Sequence, residues 1–172
     1  MSRRAFLAGV LALLGAAVVC AETVRIQRYL ASLQLGDTLD VVRRIYPPAR
    51  DWSSHLEPGG EVRRYEIGRA FAKSFPVGVE TLRLGLRRNR LVHVQLIYDL
   101  DTSRKKPVDE LVVDYALAYG EPRRTGRAFW WSDGDTILRV SEVAVPVLDA
   151  GREAAELRTS AELMSAEVYG RR

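Results

Sequence analysis

The stretch Leu82-Arg83-Leu84-Gly85-Leu86-Arg87-Arg88-Asn89-Arg90-Leu91-Val92-His93-Val94-Gln95-Leu96-Ile97-Tyr98 carries the reading from which the fold follows. Leu82, Leu84 and Leu86 alternate with Arg83, Gly85 and Arg87, the period-two pattern of a strand with one buried face. Arg88-Asn89 reads as the turn. Leu91 to Tyr98 then returns with Val92, Val94, Leu96 and Tyr98 on one face. That register puts His93 on the other face, partly exposed beside Leu91, Gln95 and Ile97.

Similar patterns extend in both directions. Phe129–Trp131 and Thr136–Val143 form a second hairpin around Asp133-Gly134, a strong two-residue turn signal. Val62–Ile67 is expected as an edge strand and Glu153–Thr159 as the last strand. Between these lie helices. Asp37 or Thr38 caps a short one, with Leu39, Val42 and Ile45 on one face and Pro47-Pro48 as its stop. Pro107 starts a longer one whose stripe is Val108, Leu111, Val112, Tyr115 and Tyr119, closed by Gly120 and Pro122. Ser160 is expected to cap a terminal helix with Ala161, Met164 and Val168 inward and Gly170 at its end. Residues 50–60 read as a loop, 101–106 as a polar linker, and 22–35 carry no clear boundary signal.

Helices interleaved with hairpins predict an α+β fold, an antiparallel sheet with helices packed on one face. Tyr46-Pro47-Pro48-Ala49-Arg50 and Tyr119-Gly120-Glu121-Pro122-Arg123 each end a helix and precede strands. This points to a tandem repeat of a helix-plus-hairpin unit, with half-repeats 36–100 and 106–160 inside a single domain, 22–172.

The start of the chain has a different character. Ser2-Arg3-Arg4 is positive, Ala5 to Val19 is an unbroken apolar run, and Val19-Cys20-Ala21 precedes Glu22. This is the plan of a secretory signal peptide, 1–21, cleaved near Ala21 to leave a periplasmic or secreted protein. The alternative is a lipoprotein anchored through Cys20, although Ala17-Val18-Val19 is a poor match to a lipobox. Ser2-Arg3-Arg4-Ala5-Phe6-Leu7 resembles the twin-arginine consensus and leaves that export route open beside the general secretory one. Without Arg3 and Arg4 the remainder holds 24 basic and 22 acidic residues. So small an excess gives little electrostatic steering, and nucleic acid is not expected as a partner. One cysteine excludes an intramolecular disulfide.

No catalytic motif stands out. None of the serines lies in a Gly-x-Ser-x-Gly elbow, and Gly59-Gly60 lacks the Lys and Ser/Thr of a phosphate loop. His55 and His93 without a thiol do not make a standard metal site. Asp133-Gly134-Asp135 is explained by a hairpin turn without a cation. Neither a metal nor a cofactor is expected. The aromatic pair Trp130-Trp131 is more informative, because neighbours in a strand face opposite ways. One enters the core; the other needs a loop, a strand or a partner to cover it. Arg123, Arg124 and Arg127 lie just before it, and Trp and Arg are the residues most enriched in binding hot spots. Trp130, Trp131 and these three arginines are the expected binding site.

Gly36-Asp37-Thr38-Leu39-Asp40-Val41-Val42 resembles the helix opening of small envelope lipoproteins of the SmpA/OmlA type, which serve outer-membrane β-barrel assembly. The helix-and-sheet order is similar to the tandem-repeat fold of β-lactamase inhibitor proteins. The family's Gly-x-Pro is absent after the first helix and present after the second as Gly120-Glu121-Pro122. The resemblance implies a fold and an envelope compartment; it carries over no functional residue. The resulting expectation is a non-catalytic module that binds an envelope protein or other envelope component, with a membrane reached only through the leader or a lipidated Cys20. The alternatives are a cell-envelope enzyme whose acidic site the fold assembles, and a small-ligand carrier with an apolar cavity between sheet and helices.

Overall fold

The Leu82–Tyr98 stretch lies at the middle of an eight-stranded antiparallel sheet. The computed structural model describes residues 24–149 and 152–170; the expected signal peptide, with Cys20 and the cleavage point, lies outside them. In chain order the elements are β1 (Tyr29–Leu30), β2 (Leu33–Gln34), α1 (Leu39–Ile45), β3 (Ser53–Leu56), β4 (Val62–Gly68), β5 (Val79–Arg87) and β6 (Arg90–Tyr98). Then come α2 (Leu100–Lys105), α3 (Val108–Tyr119), β7 (Arg123–Thr125), β8 (Ala128–Ser132), β9 (Thr136–Asp149), β10 (Arg152–Ser165) and α4 (Ala166–Tyr169). The fold is α+β.

β5 and β6 are joined by Arg88 and Asn89 at φ 51° and 60°, the positive pair that a two-residue type I′ turn requires. The register then departs from strict alternation. Gly85 faces His93 and Leu86 faces Leu91, so Val92 is an extra residue in a β-bulge. A bulge shifts the alternation by one. Leu91, not Val92, therefore joins Val94 and Leu96 on the core face. His93 is on the opposite face as expected, but it is 2% exposed, not partly open.

The strand order is β3-β4-β5-β6-β10-β9-β8-β7. Each half is thus a helical segment followed by a four-stranded meander, and the last strands of the two meanders, β6 and β10, pair at the centre. One face of the sheet is apolar: Leu82, Leu84, Val94, Leu138, Val140 and Leu163 are all buried. Val42 of α1 and Leu111 of α3 join that same core, with Val108, Val112, Tyr115 and Tyr119 packed against it. Thr38 caps α1 by accepting from Val41 N–H. Pro107 begins α3, and Gly120, at φ 79°, ends it.

Four expectations are corrected. Residues 50–60 are not all loop, because Ser53–Leu56 pairs with β4; all four side chains are exposed, so no alternation marks them. β4 is consequently not the edge strand. The 101–106 linker is largely helix α2, capped by Asp99 Oδ1 accepting from Thr102 N–H at 2.8 Å. Ser160 caps no helix: Ser160–Ser165 continue β10, with Ala161 and Leu163 on the core face, and only the single turn α4 follows. Before α1, residues 24–35 form a small β1–β2 hairpin whose Leu33 is fully buried in the core, with Ile26 and Leu35 beside it.

Candidate functional site

The face opposite the core is built from the intervening side chains of the same strands. Directly paired residues share a face, so one row can be followed across all eight strands: Ser53, Glu66, Arg83, Gln95, Glu162, Arg139, Trp130 and Arg123. A second row, two residues along, contains His55, Arg64, Gly85, His93 and Met164. The sequence alternation that buries leucine and valine below therefore assembles charge above.

Much of this charge is organised around His93. Arg64 donates Nη1–H to His93 Nδ1 and Nε–H to Glu57 Oε1. On the other side of the ring, His93 Nε2 lies 3.9 Å from Glu162 Oε2. Arg139 in turn pairs with the Glu162 carboxylate. From α4, Tyr169 sets its ring 5.7 Å from the imidazole and donates its hydroxyl to Glu57 Oε1 at 3.2 Å. Gly85 makes this approach feasible: a Cβ there would lie 3.0 Å from His93 Cβ and 3.2 Å from the Tyr169 hydroxyl.

The electrostatics follow from the burial. Removal from water lowers the His93 pKa, and Arg64 and Arg139 add to that, while Glu162 opposes them without winning. Burial alone would raise the Glu162 pKa, but His93 and Arg139 outweigh it and hold the carboxyl below the usual range. His93 is therefore neutral, with Nδ1 as acceptor for Arg64 and Nε2–H turned toward an ionised Glu162. Neutral imidazole has one acceptor nitrogen, and Arg64 occupies it. As arranged, His93 positions other groups and has no lone pair to offer a substrate.

A pocket of about 640 Å³ opens over this network, floored by His93, Gln95, Glu162 and Met164 and walled by Arg64, Arg83, Arg139, Glu57 and Tyr169. His55, on the exposed edge strand, also borders it.

Of the residues expected to bind, Trp130 and Arg123 share this face, and both line a second pocket of about 440 Å³ with Ile137, a pocket that Trp131 also borders. Trp130 is half-buried, with the Arg139 guanidinium 5.0 Å from its ring centroid, and its indole Nε1 meets no acceptor among the described residues. Trp131 points to the core. It is 5% exposed, packs edge-on against Tyr115 and donates Nε1–H to Gly120 O at 2.8 Å. Arg124 lies on the core side of its strand, against the Phe129 ring, and Arg127 sits in the exposed turn, 3.9 Å from Glu142. The five residues do not form one cluster.

Arg64, Arg139, Glu162, Glu57 and Tyr169 escaped the sequence reading. The available signal was Glu162 between Ala161 and Leu163, a period-two pattern hidden by an expected helix. Asp133 is occupied as a turn residue: Oδ1 accepts from Asp135 and Thr136 N–H, and Oδ2 from Ile26 N–H. Among the described residues no cluster of His, Cys, Asp and Glu is arranged to hold a metal, and no helix is long and apolar enough to cross a membrane. No known protein family, curated protein or solved structure matches the chain.

Proposed function

We propose that the protein is an exported, non-catalytic binding module of the bacterial cell envelope, and that it docks another envelope protein on the charged outer face of its sheet. The observation that carries this is Trp130, half-buried in a charged row that crosses all eight strands, between Arg139 and Arg123 on the neighbouring strands. A Trp flanked by arginines has the composition of a binding hot spot, and Arg139, held in place by the buried Glu162 carboxylate, gives a partner a fixed positive charge beside it to match. Export follows from the Arg3-Arg4 start and the Ala5–Val19 run, with cleavage near Ala21; lipidation at Cys20 is the alternative.

The test is site-specific photo-crosslinking in cells, with the reactive group at position 130 or, as a control, at the exposed Val113 of α3. A discrete adduct at 130, absent at 113 and lost with Arg139→Glu, is the expected outcome. Equal adducts at both positions would refute the assignment of this face. The intact mass of the mature protein separates an N-terminus at Glu22 from a lipid-modified Cys20.

A cell-envelope enzyme is the second reading, favoured by His93 beside Glu162 at the floor of a pocket. It requires Arg64 to leave His93 Nδ1 during turnover. Turnover of an envelope substrate that is abolished by His93→Gln would establish it over the docking reading.

A further inference from the structure

The 640 Å³ pocket has a property that protein docking does not require. Among the described residues three guanidiniums and three carboxylates line it, so their formal charges balance, but the two signs are not equally accessible. The Glu57 and Glu162 side chains are 9% and 4% exposed, whereas Arg64, Arg83 and Arg139 are 25%, 35% and 31% exposed. The carboxylates are tucked beneath, and their role is to fix the guanidiniums. Among the described residues that line the pocket, Glu66, 54% exposed at the rim, is the one that presents a carboxylate to solvent.

The hydrogen bonds are similarly uneven. Arg83 grips Glu66 through Nε alone, at 2.8 Å, and its Nη1–Nη2 edge has no acceptor among the described residues. Arg64 uses Nε and Nη1 and leaves Nη2 without one. Arg139 uses Nη2 and leaves Nη1, while its Nε is buried and meets no acceptor among the described residues. A guanidinium edge of two parallel N–H groups is matched by a carboxylate or phosphate, which it binds bidentately. Arg83 and Arg139 flank Gln95 and Glu162 in one row, with Arg64 in the next, and all three line one cavity. Their anchoring lowers the entropy that a ligand would otherwise lose in ordering them.

We propose that this pocket is a binding site for a small oxoanion, a carboxylate or phosphate group held between Arg83, Arg64 and Arg139. The site shares Arg139 with the docking face but needs neither Trp130 nor Arg123, and Arg83, which the docking reading does not use, tells the two apart.

The experiment is a calorimetric titration of the purified protein with succinate and with inorganic phosphate. Saturable binding in the millimolar range or tighter is expected, with the two probes competing. Arg83→Gln, which removes only a partly exposed surface pair from the fold, weakens binding about tenfold, the loss of roughly 1.4 kcal/mol. Arg123→Gln, in the neighbouring pocket, leaves it unchanged. Displacement of succinate by vesicles of anionic phospholipid, but not of phosphatidylcholine, identifies a lipid headgroup as the natural oxoanion. Indifference to both vesicles identifies a free solute. No saturable binding up to about 20 mM, a range where even weak specific sites fill, overturns the proposal. So does an equal loss in Arg83→Gln and Arg123→Gln, which would mark diffuse charge attraction.

Discussion

His93 enters the interior neutral, and this gives the molecule a specific sensitivity to acid. In the unfolded chain a histidine takes up its proton near pH 6.5. In the folded protein burial, with Arg64 and Arg139 nearby, lowers the pKa. Above about pH 6.5 both states are neutral at this residue and it contributes no pH dependence. As the pH falls below that, the unfolded state binds the proton first and stability drops, by at most about 1.4 kcal/mol per pH unit for one group, until the lowered folded pKa is reached. Glu162 has its pKa depressed, so the stability it confers is present above the normal carboxylate range and is lost only at lower pH, as its folded pKa is crossed. His93→Gln retains an acceptor for Arg64 and removes the titration. Urea denaturation should show the wild type weakening between about pH 6.5 and 5 while His93→Gln stays flat over that interval; the same slope in both would mean another group titrates. The tryptophans divide in a comparable way. Trp131→Ala opens a core cavity and strands Gly120 O, costing about 3–5 kcal/mol, whereas Trp130→Ala costs roughly 1 kcal/mol or less. Thermal denaturation of the two variants tests this ranking, and an equal loss would contradict the opposite facing of the pair.

At the scale of elements, the β5–β6 turn is the clearest place where sequence and geometry are at odds. Arg88 and Asn89 both hold positive φ, a region that Asn tolerates and Arg adopts at a cost. Replacing the pair through Arg88→Asn and Asn89→Gly, the preferred type I′ residues, should raise unfolding free energy by roughly 1 kcal/mol without altering the register; chemical denaturation reads it directly. This hairpin was legible because Leu82, Leu84 and Leu86 bury a single face. The same signal made α1, α3 and the β8–β9 hairpin readable. β3 was illegible for the opposite reason: Ser53, Ser54, His55 and Leu56 bury nothing, and only their backbone pairing with β4 defines the strand. The end of β10 was misread because Ala161, Met164 and Val168 also fit a helical spacing, and only pairing on both sides, with β6 and β9, decides between the two periods. The outer-face network depends on the same long-range information. Glu162 meets His93 only because β10 pairs with β6, a connection no local pattern records. The bulge at Val92 then determines which residues of β6 look outward, and a one-residue shift changes every one of them.

For the whole molecule, the consequential contact is the seam between β6 and β10. Each four-stranded meander follows its own helical segment, yet the seam runs through the core, with Leu96 opposite Ala161 and Val94 opposite Leu163. Separating the halves would expose those side chains, unpair the inner edges of two central strands, and remove Glu162 from His93. Unpaired hydrophobic edges of that kind are costly and prone to association. The halves should therefore unfold together. Trp52 packs against Tyr65 of β4 in the first half, and Trp130 and Trp131 lie in the second. This allows a direct test: Trp52→Phe leaves fluorescence reporting the second meander alone, while far-ultraviolet circular dichroism reports both. Coincident transitions in urea by the two probes are expected, as for a two-state domain. A fluorescence transition displaced from the dichroism transition would show that the second meander is stable without the seam, and the buried His93–Glu162 contact would then be a junction between two folding units.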